Sequence, residues 1–241
     1  MDVKLNQKIK RGATVIEGFP GFGLVGTIVT EYLIEHLNAK QVGYLWSNKI
    51  PSIVALHQGK VVEPLAIFYD ESHNIILLRA IAPINGLEWE LAECTEKFCK
   101  DLGVGEVVSI EGVGGQQASQ KTRNVDPKAF YHSSNPKSQK KFGVMGINSL
   151  NEGIVVGVTA SLLSKMRDAT FLFVEAFPDL PDSRAAAKLI EVLDKYLGLK
   201  VDYKPLLKKA EEFEAKIKSI LSQGMKVSQE KEQKDNSTYF G

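Results

Sequence analysis

The chain has 241 residues, 44% of them hydrophobic, with 30 Lys+Arg set against 29 Asp+Glu. That length suits one large domain with a sizeable core, and the near balance of charge supplies no basic field to hold a nucleic-acid backbone or an anionic membrane surface. No apolar run approaches the roughly 18 residues of a membrane-spanning helix, and the opening Met1-Asp-Val-Lys-Leu-Asn-Gln-Lys-Ile-Lys10 has no apolar signal core, so a cytoplasmic protein is expected.

Residues 13–17 predict a short buried strand, Phe19-Pro20-Gly21-Phe22-Gly23 a turn, and 24–37 a helix with Leu24, Ile28, Tyr32 and Leu33 at helical spacing. A second strand over 41–46 completes a β-turn-α-β unit, the opening of a parallel sheet. Strands over 52–57 and 60–62 flank Gln58-Gly59, and strands over 65–69 and 75–79 flank Glu71-Ser-His-Asn74; these hairpins make part of the sheet antiparallel. An amphipathic helix is expected over 87–102. A strand over 106–110 then runs into Gly112-Val-Gly-Gly115. The polar stretch 116–141 predicts an exposed excursion with one short strand at 129–132.

Strand character resumes over 143–147 and 153–158, followed by a short helix over 160–167 and a buried strand over 170–176. Pro178-Asp-Leu-Pro181 turns into a helix over 182–197, capped by Asp182 or Ser183. A last helix over 205–222 places Leu206, Ala210, Phe213, Ile217 and Ile220 at spacings of 4, 3, 4 and 3, a heptad seam suited to packing or oligomer contact. Beyond Gln223-Gly224 the chain is polar and disorder is expected. It ends in Tyr239-Phe240-Gly241. The expected organisation is an α/β core over 1–199, a helix over 200–224 and a flexible tail over 225–241.

Few motifs carry chemistry. Gly21-Phe22-Gly23-Leu24-Val25-Gly26 matches GxGxxG between a strand and a helix, the setting of a dinucleotide-binding turn. The acid that would hold a ribose is missing, since the second strand ends Tyr44-Leu45-Trp46-Ser47, and Phe19 and Phe22 crowd the turn. Gly18, Pro20, Gly21, Gly23 and Gly26 therefore read as a structural turn that brings helix close to sheet. Gly112–Gly115 lacks the Lys-Ser/Thr ending of a phosphate loop.

His36, His57, His73 and His132 have no metal-ligand spacing, and Cys94 and Cys99 form neither a redox pair nor a zinc knuckle. Glu17, Glu88, Glu90 and Glu111 are single carboxylates with no partner visible in the sequence. No cofactor, metal or catalytic residue is expected. The terminal Tyr239, Phe240 and Gly241 carboxylate read as a plug for a partner's pocket, because the last 16 residues extend to roughly 50 Å at most, with an r.m.s. span of about 20–25 Å.

Glu17-Gly-Phe-Pro-Gly-Phe-Gly-Leu-Val-Gly-Thr27, followed by a helix and by Lys49-Ile-Pro-Ser52, resembles the PAC2 family of proteasome assembly chaperones and their archaeal homologues. Gly112-Val-Gly-Gly115 and Glu175-Ala-Phe-Pro-Asp179 extend the resemblance, which spans about 10–200. It implies an α/β fold with a twisted, partly mixed sheet similar to that of nucleoside phosphorylases but without their catalysis. It also implies homo-oligomers, with a paralogue as an alternative partner, and contact with proteasome α subunits. In related members a hydrophobic–tyrosine–any tripeptide enters pockets between α subunits; Tyr239, Phe240 and Gly241 would occupy those three positions. Phe240 in place of tyrosine removes a hydroxyl hydrogen bond worth about 0.5–1.5 kcal/mol. The alternative is a nucleotide- or nucleoside-binding enzyme using its glycine-rich turns.

Overall fold

The computed structural model describes residues 1–57, 59–81, 84–114, 126–178 and 181–208, together with residues 212, 215, 219 and 222. Its centre is a mixed sheet of nine strands with helices on both faces. Four strands form a parallel block: β2 (Thr14–Glu17), β7 (Ile75–Ala80), β8 (Glu106–Val113) and β11 (Thr170–Glu175). Each is a short run of apolar, mostly β-branched or aromatic residues, the pattern of a strand covered on both sides.

Antiparallel strands extend the block at each side. Beyond β7 come β6 (Leu65–Asp70), β3 (Lys40–Trp46) and the edge strand β1 (Asp2–Leu5). Beyond β11 come β9 (Ala129–Ser133) and the two-residue β10 (Asn148–Ser149). The pair β4 (Ala55–His57) and β5 (Lys60–Val62) forms a separate ribbon. β3 does run parallel to β2, as the β-turn-α-β reading requires, but β7 and β6 are inserted between them. β1 has only a four-residue alternation and carries no strand signal in the sequence reading.

One face of the sheet packs α1 (Val25–His36), α3 (Pro136–Val144), α5 (Ser183–Leu197) and α6 (Lys204–Lys208), burying Ile16, Val108, Ile110, Leu172 and Val174 beneath them. The other face packs α2 (Glu88–Leu102) and α4 (Gly157–Lys165) over Val15, Val107, Phe171 and Phe173. Strand alternation sends successive residues to opposite layers, so each of these strands feeds both cores. Cys94 and Cys99 are buried, unpaired thiols on the sheet side of α2, and burial pushes the Cys99 thiol up to about 12. Among the described residues no helix is long and apolar enough to cross a membrane.

Two expected strands are corrected. Residues 143–147 form the end of α3 and a turn through Gly146, and residues 153–156 are irregular, leading into α4 at Gly157. α3 forms within a polar stretch because its ends are well specified. Asn135 caps it by accepting from the Lys137 amide at 3.0 Å, Pro136 sits in the first turn, and Phe142 anchors it to the sheet. Leu206 of the expected seam is buried in the core against α5 and is 1% exposed. Ala210, Phe213, Ile217 and Ile220, like the terminal Tyr239, Phe240 and Gly241, lie outside the described residues.

Candidate functional site

The parallel strands end along one edge of the sheet, the usual place for ligands in an α/β fold. Here the glycine-rich turn follows β2, a three-residue 3-10 turn over Phe22–Leu24 leads into α1, and the end of β8 faces both. Two features allow the chain to fold this tightly. Gly23 and Leu24 have positive φ, 61° and 51°, so the backbone reverses within two residues. Gly18 and Gly26 let α1 lie against the sheet: a Cβ on Gly18 would run into the Gly26 carbonyl, and one on Gly26 would sit 2.8 Å from the Ile110 carbonyl oxygen. Thr30 closes the contact, its hydroxyl donating to the Gly26 carbonyl at 3.0 Å.

The sequence does not show what fills this turn. Glu111, buried at the end of β8, reaches into it. The Phe22 and Gly112 amides both donate to its Oε1 at 2.9 Å, and the Thr159 hydroxyl of α4 lies 3.1 Å from Oε2. A Cβ on Gly21 would collide with the same carboxyl. The Phe22 amide, which in a dinucleotide-binding turn would face a pyrophosphate, is thus bonded to the protein's own side chain. The second glycine run adjoins this contact: a Cβ on Gly112 would strike the Phe22 carbonyl, and Gly115 lies outside the described residues.

A second carboxyl sits behind the first. Glu17 is fully buried, bonded to the Ser109 hydroxyl and accepting from the Phe19 amide at 3.3 Å. Burial raises Glu17 to about 7. Burial, reinforced by the neighbouring Glu17, raises Glu111 to about 8. Both carboxyls keep their protons well above the usual carboxylate range, and both are sealed under the turn rather than open to a substrate. The 2.9 Å and 3.1 Å contacts that join the turn, β8 and α4 are those of a structural knot. Asp182 extends it, capping α5 through the Ala185 amide at 3.0 Å while its own amide donates to the Gly23 carbonyl at 2.9 Å.

The outer surface of the same edge is apolar. Trp46 at the end of β3, Val54, Leu56 and Val61 around the β4–β5 ribbon, Trp89 in the first turn of α2, and Ile154 and Val156 before α4 are all at least half exposed, reaching 90% at Ile154. Each belongs to a segment that begins or ends where the parallel strands finish, so topology gathers them at one end of the molecule. The four histidines remain dispersed: His73 pairs with Asp70 at 2.6 Å, and among the described residues no group of three or more His, Cys, Asp or Glu is placed to hold a metal. Glu90 binds Lys49 at 3.0 Å and the chain's α-amine at 2.9 Å, holding it near 2.

The model of the PAC2 family matches residues 15–221. The uncharacterized protein MJ0106 of Methanocaldococcus jannaschii is 31% identical over 231 residues, covering 88% of this chain and 87% of its own. Among solved structures, Pyrococcus furiosus PbaA, an archaeal homolog of proteasome-assembly chaperone, superposes with a TM-score of 0.81 at 30% identity, covering 94% of this chain and 99% of PbaA. Pyrococcus furiosus PbaB, an archaeal proteasome activator, shares the fold with a TM-score of 0.70 at 21% identity, covering 90% and 97%.

Proposed function

The chain belongs to the PAC2 family, and on that premise we propose that it is a cytoplasmic, homo-oligomeric assembly chaperone or activator of the proteasome that acts by binding rather than by catalysis. The observation that carries this reading is the likeness to PbaA along nearly the whole of both chains. The filled glycine turn supports it, because the amide contacts that would mark a nucleotide enzyme are made internally by Glu111.

The contact with the core particle is made by the C-terminal tripeptide. Tyr239 and Phe240 supply apolar area, and the Gly241 carboxylate supplies a charge that pairs with a cation in a pocket between α subunits. Several tails on one oligomer raise the effective concentration of each, so weak single contacts add to a firm one. Phe240 lacks the phenolic hydroxyl, which favours holding over opening of the gate.

The test compares the full chain with one ending at Thr238, in a pull-down and a peptidase assay with core particle. The full chain is expected to bind and the shortened chain to lose binding. Equal binding by both would move the contact to the folded core and favour assembly over activation; binding by neither would end the proteasome reading.

A further inference from the structure

The end of β3 and the segment leading to the β4–β5 ribbon enclose a cleft of about 560 Å³, distinct from the buried knot. Its walls include Tyr44 and Trp46, Ile50 and Val54, and its rim carries Glu63. Tyr44 and Trp46 are two apart on β3, so their rings stand on the same side, about 7 Å apart along the strand. Trp46 is 51% exposed. An indole left open at the mouth of a cleft offers a negative ring face to whatever enters.

The charges around it select the visitor. Glu63 enters no ion pair among the described residues. Asp2 stands directly across from Trp46 on β1, on the same face of the sheet. Of the nearby cations, Lys49 and the α-amine are both on Glu90, and Lys4, opposite Tyr44 and two residues along β1 from Asp2, offsets that carboxylate, which leaves Glu63 as the only charged residue among those lining the cleft. An anion would be repelled here. A purely apolar group would bury Glu63 without a partner, at a cost. An ammonium or guanidinium satisfies both features at once, resting on the ring and pairing with the carboxylate.

We propose that this cleft receives a lysine or arginine side chain of a partner protein, carried next to an apolar residue. The apolar neighbour is argued from Leu56 and Val61, a cross-strand pair on the ribbon that is 76% and 51% exposed, which extends the surface beyond what a free amine would cover. The site is independent of the C-terminal plug.

The two tryptophans allow a direct measurement. In a Trp89→Phe chain, Trp46 is the sole indole, and its fluorescence is followed during titration with N-acetyl-Leu-Arg-Leu-amide and with the same peptide carrying neutral citrulline in place of arginine. The arginine peptide is expected to give a saturable change and to bind at least about fivefold more tightly than the citrulline peptide, a preference that Glu63→Gln removes and added salt weakens. Ending the chain at Thr238 should leave the titration unchanged, which separates this site from the tail. Equal binding of the two peptides would overturn the cation reading and leave a plain apolar groove. No response to either peptide, with light scattering showing self-association that Trp46→Ala abolishes, would assign the surface to a second copy of the chain. No response and no self-association would overturn the site altogether.

Discussion

Phe22 precedes Glu111 by 89 residues, yet its amide ends on that carboxyl. Oε1 accepts from the Phe22 and Gly112 amides and Oε2 from the Thr159 hydroxyl; these bonds favour the charged form, and burial together with the neighbouring Glu17 outweighs them. Because the folded state raises Glu111 to about 8 and Glu17 to about 7 from an ordinary value of 4.5, the native protein holds protons that the unfolded chain has released. The stabilisation is complete below the unfolded value and is lost as pH rises through 7 to 8. Glu111→Gln keeps an oxygen to accept from the Phe22 and Gly112 amides and cannot ionise. Urea midpoints at pH 5 and pH 8.5 should show the native chain losing on the order of 1–3 kcal/mol on going to the higher pH, and the variant losing distinctly less. The glycines of the turn are legible in sequence as residues needed for close approach. Their occupant is not, since nothing local ties position 22 to position 111, and a carboxylate after a strand reads as an ordinary surface group until its burial is seen.

Elements with strong periodicity are legible in the chain: α1, α2, α5 and the strands β6, β7 and β11 lie within a residue or two of where their apolar spacing puts them. α3 is the instructive failure. Its interior, Lys-Ser-Gln-Lys-Lys141, is polar because only Ser138 and Phe142 of its nine residues are buried, so no apolar stripe announces it. The start signal is present in Asn135-Pro136, and the main apolar anchor is one ring: Phe142 is fully buried, stacked on Tyr131 at 4.8 Å and Tyr196 at 4.4 Å between centroids. Phe142→Ala should therefore cost about 3–5 kcal/mol, the upper range for a buried aromatic. Hydrogen exchange should show α3 amides losing protection ahead of those in β2 and β8. Uniform loss across the sheet would mean that the ring supports the whole core rather than one helix.

At the scale of the molecule the two ends differ. Strands β2, β7, β8 and β11 finish at the edge that carries the apolar surface, whereas α5 starts from that edge at Ser183 and runs back for 15 residues, about 22 Å, before the chain passes into α6. Tyr32 ties this returning segment to α1 through the Asp202 carbonyl, and Leu206 locks α6 onto α5. The chain thus leaves the described core on the α1–α5 layer, whereas Ile154 leads into α4 on the opposite layer. Tail docking with the α6 side of the core toward the α ring is the arrangement to test. A photo-crosslinking residue introduced in place of the exposed Lys204 should capture α subunits, and one in place of Ile154 should not. The reverse result would mean that the apolar edge itself sits on the ring, making the folded core rather than the tail the principal contact.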